Sequence, residues 1–315
     1  MRGLGLTWRH TISQARTRFA RLVAGLPQPR VIGYYNFWGL PFFAAVDGAE
    51  LRIGVLHGDW PGLAECLRGL RGLVDGVLCV SPPLVELVRE NWPGFPAERA
   101  AMLACPVNLP APDTAKPPLA GRPLVVGFCG RISRAEKRVD RFPALYQQLA
   151  QAGLDFRLEF LGDGPDARWL RRQLAGHSRV VFHGRLSGRA YWQALRGWDA
   201  IVFVSDYEAL PIALMEAMGL GVVPIYPRIG YGGSEYARAA APEFWYEPGD
   251  LSQITQALRR LRQMAAAELQ ALRDRCGQTV RAHLGDGYFV TFSSFVRRIC
   301  ELPRISRAQF PPRPF

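Results

Sequence analysis

Lysine is nearly absent from this 315-residue chain, although the chain is strongly basic. Of its 39 basic side chains only Lys116 and Lys137 are lysines, and the formal net charge is +12. A charge of this size predicts an acidic partner, either nucleic acid or an anionic membrane, unless the arginines only cover a solvated face. Nucleic acid is the least favoured of these, because the chain has no zinc finger and no aromatic RNA-binding motif.

No apolar run is long enough to span a bilayer, since the longest, residues 37–46, contains Gly39 and Pro41. No adequate apolar stretch accompanies Arg2 and Arg9, so a secretory signal is not predicted. The six cysteines form no CxxC pair and have no regular spacing, which favours buried free thiols in a reducing compartment. We therefore expect a cytoplasmic protein, either free or peripheral on the inner face of the membrane.

A proline-rich segment divides the chain. Residues 109–122 show no apolar period, as expected of a hinge between domains. After them, short apolar runs alternate with helical stretches, which indicates a parallel, doubly wound α/β sheet. The runs are residues 124–129, 156–161, 180–182, 200–204 and 222–226. We expect a first domain over residues 1–108, a second over 123–287, and a crossover helix with a tail over 288–315.

Two glutamates give the strongest functional signal. Residues 200–204 read as a strand covered on both faces, and Glu208 follows on the loop at its carboxyl end, where open α/β sheets bind ligands. Pro211 suits the first position of a helix that is apolar almost all round, so this helix and Glu216 on it should be buried. A buried carboxylate needs hydrogen-bond donors, and the two hydroxyls of a ribose are one suitable pair. Alternatively, Glu208 is a solvated loop residue and Glu216 merely caps a helix or pairs with an arginine.

A basic loop follows the strand predicted at residues 124–129. It contains Gly130, Arg131 and Lys137, whose side chains and backbone amides can face an anion at the start of a helix. An ammonium and a guanidinium are not equivalent partners for a diphosphate, so one of the two lysines of the chain indicates a specific contact here. Chance placement of this lysine is the alternative.

Four further motifs accompany the glutamate pair and the basic loop, namely Phe160-Leu-Gly-Asp-Gly-Pro165, Val181-Phe-His-Gly184, Gly232-Gly-Ser-Glu235 and Pro248-Gly-Asp250. Together with Gly130-Arg131, Lys137, Glu208 and Glu216, they resemble the nucleotide-binding half of a family 4 retaining glycosyltransferase. The resemblance covers residues 123 to about 262, in the family's order, and implies the α/β fold called GT-B, with two Rossmann-like, doubly wound domains. It implies transfer of a sugar, with retention, from a nucleoside diphosphate to a saccharide or lipid-linked acceptor in cell-envelope polysaccharide or glycolipid synthesis.

The resemblance also implies roles for single residues. The donor-binding residues would be Gly130, Arg131, Lys137, Arg185, Leu210, Pro211, Ile212 and Glu216. Arg131 and Lys137 would contact the diphosphate, Glu216 the ribose, and Arg185 the surroundings of the base. Glu208 would act as a catalytic residue near the donor sugar. No metal or other cofactor is expected, because basic residues neutralise the diphosphate in this family and the chain has no Asp-x-Asp.

The first domain resembles the family less closely. Residues 51–57 are similar to the strand that delivers the family's active-site histidine, which would make His57 catalytic, although a lone histidine after a strand is as readily structural. The family's opening strand and glycine-rich loop have no counterpart before Pro29, so we expect a reduced amino-terminal domain. Two alternatives stay open: an inactive nucleotide-sugar-binding protein, and another GT-B enzyme such as a nucleotide-sugar epimerase.

The start of the chain predicts an amphipathic helix over residues 4–26. Its arginines alternate with large apolar side chains, as in helices that lie in a membrane interface. The arginines are Arg9, Arg16, Arg18 and Arg21, and Trp8 and Phe19 are the aromatic residues beside them. We therefore expect this helix to bind an anionic membrane surface.

Overall fold

A computed structural model describes residues 11–44, 48–58, 62–103, 105–110, 116–230, 232–281 and 286–304. The chain forms two units, which are described separately here. Unit 1 consists of Met1–Ala104 and Tyr288–Phe315, and unit 2 of Cys105–Gly287. Within the described ranges, no helix is long and apolar enough to cross a membrane.

Strands and helices alternate along the chain. The strands are β1 (Val31–Tyr35), β2 (Leu51–Leu56), β3 (Gly76–Cys79), β4 (Ala100–Met102), β5 (Leu124–Cys129), β6 (Phe156–Leu161), β7 (Val180–Gly184), β8 (Ala200–Val202), β9 (Val223–Pro227) and β10 (Trp245–Tyr246). The helices are α1 (Ile12–Ala24), α2 (Leu40–Phe43), α3 (Leu63–Leu70), α4 (Pro82–Asn91), α5 (Arg134–Lys137), α6 (Phe142–Gln151), α7 (Ala167–Gln173), α8 (Gly188–Arg196), α9 (Ile212–Gly219), α10 (Ser234–Ala240), α11 (Leu251–Gln263), α12 (Ala266–Val280) and α13 (Asp286–Glu301). The predicted strands at residues 124–129 and 156–161 are confirmed with the same bounds.

In its described residues, unit 1 contains one sheet of four parallel strands in the order β1-β2-β3-β4. The sequence does not predict β1 or β4. β1 is the apolar run Val-Ile-Gly-Tyr-Tyr, but only Tyr34 in it is buried. β4 has three residues, none of them β-branched.

The last helix of the chain completes the core of unit 1. Phe295 and Ile299 of α13 are each 1% exposed and pack in one cluster with Leu51 and Ile53 of β2 and Leu78 of β3. The first domain core is therefore built from two segments at opposite ends of the sequence. The tail after Arg304 lies outside the described residues.

A tight turn follows β1 and fastens it to β2. Asn36 and Phe37 adopt positive φ angles of 45° and 57°, which non-glycine residues rarely do. The Phe37 ring fills space beside Gly54, where a Cβ atom would lie 2.0 Å from the ring. The Asn36 side-chain oxygen accepts a hydrogen bond of 2.8 Å from the backbone N–H of His57. These contacts hold the strained turn in place, as expected for an unusual backbone conformation.

Helix α1 has a well-formed start within the predicted helix. The Thr11 side chain accepts from the Gln14 backbone, and the Gln14 side chain accepts from the Thr11 backbone, which is a capping box. The predicted residues 4–10 lie outside the described part of the chain. Phe19 of α1 packs on Phe43 of α2 with ring centroids 4.4 Å apart. Phe19 is therefore half-buried and packs within unit 1.

Unit 2 contains a six-stranded parallel sheet in the order β10-β9-β8-β5-β6-β7. The strand order reverses beside β5, which pairs with β6 on one side and with β8 on the other. Such a reversal defines the switch point of a doubly wound sheet, where ligands bind outside the carboxyl ends of the strands. The predicted α/β fold class is confirmed: both units are parallel α/β structures.

A buried aspartate joins several elements of unit 2. Asp199 precedes β8 and accepts two hydrogen bonds of 2.7 Å from the Arg122 guanidinium. It also accepts from the backbone N–H of Val125 at 2.9 Å and from Arg273 of α12 at 3.1 Å. This carboxylate therefore links the segment before β5 to the sheet and to α12.

Lys116 is held beside this aspartate. Its ammonium donates to the carbonyl oxygens of Arg196, at 2.9 Å, and of Trp198. Burial lowers the pKa of Lys116 to about 7, although Asp199 acts in the opposite direction. Residues 111–115 of the predicted linker lie outside the described residues. Lys116 and Arg122, also in the predicted linker, form hydrogen bonds with other residues of unit 2.

We expect Phe295→Ala to destabilise unit 1 by about 3 to 5 kcal/mol, because it opens a cavity in a closed core. Phe289→Ala is the matched control on the same helix, since the Phe289 side chain is 61% exposed. It should change the free energy of unfolding by about 0.5 kcal/mol or less. Urea unfolding followed by circular dichroism measures both. An equal loss in the two variants would contradict the packing of α13 on the sheet.

Candidate functional site

Two loops meet at the carboxyl ends of β5 and β6. The Gly130 N–H donates to the Leu161 carbonyl and the Ile132 N–H donates to the Asp163 carbonyl, both at 3.0 Å. Gly162 has a φ angle of 135°, and a Cβ atom there would lie 2.0 Å from the Gly130 carbonyl oxygen. Any other residue at position 162 would push the loops apart.

A cavity of about 570 Å³ lies against these loops. Its lining residues come from the carboxyl ends of β5, β6 and β7, and they are Cys129, Gly130, Arg131, Leu161, Gly162, Asp163, Gly164, Pro165, Arg185 and Leu186. Arg131 and Arg185 are both exposed, so their guanidinium groups are accessible to an anion. The ion pair of Arg131 with Glu136 spans 3.4 Å between two exposed side chains and is therefore weak.

Lys137 contacts a glutamate that was predicted for the same site. Its ammonium donates to Glu208 Oε2 at 2.5 Å, and the Ser205 hydroxyl donates to Glu208 Oε1 at 2.7 Å. The Glu208 carboxylate is 2% exposed, so these two donors compensate for its burial. The alternative that Glu208 is a solvated loop residue is therefore wrong.

Arg138 directly follows α5. Arg138 has φ 48° and ψ 40°, the left-handed conformation that glycine adopts without cost. Its guanidinium pairs with Asp140 at 3.1 Å and also with Asp206. These ion pairs hold a residue whose backbone is otherwise unfavourable.

Glu216 lies on α9, which is largely buried as predicted. The helix begins at Ile212 and not at Pro211, because Pro211 has ψ 111° and precedes the first turn. The Tyr191 hydroxyl of α8 donates to Glu216 Oε2. Burial raises the pKa of Glu216, and the hydrogen bond from Tyr191 acts in the opposite direction. The partner of Glu216 is thus a tyrosine, and not the arginine of the alternative interpretation.

The loop between the two glutamates is packed against a pair of glycines. A Cβ atom at Gly232, where φ is 75°, would lie 1.7 Å from the Ala209 carbonyl oxygen. Leu210 at the end of this loop is 7% exposed, whereas the Ile212 side chain is 44% exposed. Glycine at position 232 is therefore required for the close approach that shapes this loop.

His57 belongs to unit 1 and follows β2, as predicted. Its ring lies over Tyr35, with centroids 4.3 Å apart. Burial lowers the pKa of His57, so the neutral imidazole is favoured at neutral pH. A neutral imidazole offers one donor and one acceptor nitrogen.

The structure brings the predicted residues of unit 2 together in two groups. Lys137 contacts Glu208, and Gly130, Arg131 and Arg185 line one cavity. Glu216 contacts neither group directly, but the Tyr191 hydroxyl that holds it lies 3.7 Å from the thiol of the cavity residue Cys129. In the described residues no cluster of three or more His, Cys, Asp or Glu side chains is placed to hold a metal ion.

Two residues of the site escape prediction from the sequence. Ser205 could have been found, because it directly follows the apolar run that ends in β8 and has a hydroxyl in reach of Glu208. Tyr191 lies on an ordinary amphipathic helix, and no pattern in the sequence distinguishes it from the neighbouring Trp192.

Comparison with solved structures identifies the fold as that of GT-B glycosyltransferases. The apo lipopolysaccharide outer core galactosyltransferase WaaB matches 90% of this chain and 80% of its own, with a TM-score of 0.67 and 19% identity. Anabaena Alr3699/HepE in complex with UDP and glucose matches 93% of this chain and 84% of its own, with a TM-score of 0.71 and 14% identity. Residues 123–264 match the family model of glycosyl transferases group 1.

Curated relatives are similar over parts of their length. Lipopolysaccharide 1,6-galactosyltransferase of Salmonella typhimurium is 24% identical over 241 residues, 74% of this chain and 63% of the relative. Sulfoquinovosyl transferase SQD2 of Arabidopsis thaliana is 31% identical over 143 residues, 44% of this chain and 26% of the relative. The chain thus spans less than two thirds of the length of either relative.

Replacement of Lys137 by alanine should destabilise unit 2 by about 2 to 4 kcal/mol, because it leaves the buried Glu208 carboxylate without its cation. The double variant Lys137→Ala/Glu208→Gln should recover most of this loss, since it also removes the unpaired charge. Arg131→Ala, which breaks only an exposed ion pair, is the control and should cost about 1 kcal/mol or less. Chemical denaturation of the full chain measures all three. A double variant less stable than Lys137→Ala would argue against the ion pair.

Proposed function

We propose that this chain is a retaining family 4 glycosyltransferase. It transfers a sugar from a nucleoside diphosphate sugar to a saccharide or lipid-linked acceptor, in cell-envelope polysaccharide or glycolipid synthesis. The match of residues 123–264 to glycosyl transferases group 1 and the similarity to lipopolysaccharide galactosyltransferases support the reaction class. Retention, family 4 and the acceptor rest on the motifs of the sequence.

The observation that carries this proposal is the cavity at the carboxyl ends of β5, β6 and β7 in unit 2. It is lined by two arginines with accessible guanidinium groups, Arg131 and Arg185. This pair suits a diphosphate. Cys129 lines this cavity, Tyr191 contacts Cys129, and Glu216 accepts a hydrogen bond from Tyr191. Glu216 is therefore close enough to the cavity to serve a ribose attached to that diphosphate.

The charge of the diphosphate is neutralised by protein groups in this proposal. Arg131 and Lys137 bind the phosphates without a metal ion. Fixed donors of this kind stabilise the charge that develops on the leaving diphosphate. Lys137 is already held by Glu208, so the ammonium is oriented before the donor binds.

The roles near the transferred sugar follow from the same arrangement. Glu208 lies at the start of the loop that leads through Leu210 and Pro211 to the exposed Ile212. We assign it the catalytic role near the donor sugar. In unit 1, the neutral His57 imidazole donates or accepts a hydrogen bond with a sugar hydroxyl.

We further propose that unit 1 binds the anionic inner face of the cytoplasmic membrane. The first 46 residues contain six arginines and no acidic residue. Arg16 of α1 donates to the Phe42 carbonyl at 2.7 Å, which brings a basic helix beside an exposed aromatic residue. Ile12, Trp38 and Phe42 are 60%, 78% and 52% exposed. Exposed apolar side chains among arginines are typical of interfacial binding. Trp8 and Arg9 lie outside the described residues.

The donor site predicts binding of a nucleoside diphosphate in the presence of EDTA. Isothermal titration of the full chain with UDP, GDP and ADP should detect at least one ligand. Glu216→Ala should weaken it by roughly ten- to a hundredfold, because a hydrogen bond to a charged group is worth ~1.5 to 3 kcal/mol. Glu208→Gln should keep the affinity and lose transfer.

Glu247→Ala is the control for these variants, since Glu247 forms an exposed ion pair with Arg228 in the same unit. The donor site is disproved if none of the three nucleotides binds. Equal affinities in the Glu216 and Glu208 variants would contradict their separate roles. If the chain binds the nucleotide normally but releases no nucleoside diphosphate from the donor sugar when an acceptor is present, the alternative of an inactive nucleotide-sugar-binding protein is favoured.

Membrane binding should depend on salt and on four arginines. Each basic residue near an anionic surface contributes about 1 kcal/mol, so alanine at Arg9, Arg16, Arg18 and Arg21 should reduce binding to anionic vesicles roughly a thousandfold at low salt. The control replaces the same number of exposed arginines elsewhere, namely Arg168, Arg172, Arg189 and Arg281. Vesicle co-sedimentation measures both variants, and an equal reduction would refute a specific basic surface on unit 1.

A further inference from the structure

Tyr191 is the hydrogen-bonding partner that the structure gives to Glu216. Its hydroxyl donates to Glu216 Oε2 and lies 3.7 Å from the Cys129 thiol on its other side. Tyr191 is on α8, Glu216 on α9 and Cys129 at the end of β5, so three separate elements meet at this hydroxyl. Cys129 also lines the cavity of about 570 Å³, which places Tyr191 directly behind the cavity wall.

The two glutamates of the site are stabilised in different ways. Glu208 is paired with the Lys137 ammonium, whereas no lysine or arginine of the described residues forms an ion pair with Glu216. A half-buried carboxylate without a cation depends on neutral donors to stay ionised. The only such donor that the structure shows for Glu216 within its described ranges is the Tyr191 hydroxyl.

We propose that Tyr191 is the positioning residue of the ribose-binding carboxylate. Its hydroxyl occupies Glu216 Oε2, which fixes the side chain and leaves Oε1 to accept hydrogen bonds from the ribose hydroxyls. This inference rests on the proposed function, because it assumes that Glu216 binds the donor ribose. It adds a residue that acts on the nucleotide only through Glu216.

Nucleotide binding should depend on pH through the protonation of Glu216. An ionised carboxylate accepts from ribose hydroxyls better than a protonated one, so affinity falls as the pH drops through the pKa of Glu216. Burial raises this pKa, and removal of the Tyr191 hydroxyl raises it further. The other titratable group at this place, Cys129, stays neutral, since burial raises its pKa to about 12. Tyr191→Phe should therefore move the acid limb of nucleotide binding to higher pH.

The experiment titrates the full chain with whichever of UDP, GDP and ADP the parent binds most tightly, in EDTA, from pH 5.5 to 8.5. Tyr191→Phe should weaken binding about tenfold at pH 5.5 and by less than about threefold at pH 8.5. Tyr146→Phe is the matched control, because Tyr146 is a buried tyrosine of α6 that packs on Phe156 and His177. It should bind the nucleotide like the parent at every pH.

A double-mutant cycle separates positioning from direct contact. In a Glu216→Gln background, Tyr191→Phe should change the affinity by less than about twofold, since no titrating carboxylate remains for it to hold. The same fold loss in both backgrounds would show a direct contact with the nucleotide and overturn the inference. A Tyr191→Phe profile identical to that of the parent would overturn it as well.

The outcomes distinguish this inference from the proposed function. If the parent binds none of the three nucleotides, the proposed function fails and the inference fails with it. If the parent binds and Glu216→Gln weakens binding while Tyr191→Phe has no effect, only the inference fails. Thermal unfolding of each variant at pH 8.5 checks that the Tyr191 variant is folded. The Glu216→Gln single variant tests the ribose contact whether or not the Tyr191 variant folds.

Discussion

The candidate site depends on a contact between backbones. The loops after β5 and β6 approach so closely that positions 162 and 164 have no room for a side chain: a Cβ atom would lie 2.0 Å from the Gly130 carbonyl oxygen in one case and 2.4 Å from the Ile132 carbonyl oxygen in the other. Because packing of this kind leaves little freedom, the backbone of both loops is fixed. The cavity at the carboxyl ends of β5, β6 and β7 lies against these two loops.

The cost of burying a carboxylate is offset differently at Glu208 and at Glu216. Glu208 is nearly inaccessible and is paired with a cation, so its charge is compensated before any ligand arrives. Glu216 is half-buried and has a neutral donor, which compensates burial only in part, and its pKa is raised. A group of the first kind serves as a fixed part of the site, whereas a group of the second kind gains most from additional donors supplied by a ligand.

Most strands of unit 2 are predictable from the sequence because they are largely apolar runs between turn residues. Residues 124–129 show this well, since they form β5 with the predicted bounds. β10, with only two residues, is not predicted. In unit 1, β1 is missed although residues 31–35 also form an apolar run, and no glycine occupies the positive-φ positions of its turn at Asn36 and Phe37. Glu208 and Lys137 are recognisable one by one, but their contact depends on how two loops fold over the sheet. Tyr191 is set by tertiary packing of α8 and has no local signal.

The two lysines of the chain are both engaged inside unit 2. Lys116 donates to backbone carbonyl groups, and Lys137 is paired with Glu208. Every other basic side chain is an arginine, which stays protonated throughout the range in which proteins are handled and does not react as an amine. The positive surface is therefore a permanent charge, and acylation cannot remove it. An amine-directed reagent would find its side-chain targets only at two partly buried positions of unit 2, and reaction at Lys137 would report whether the ammonium is covered.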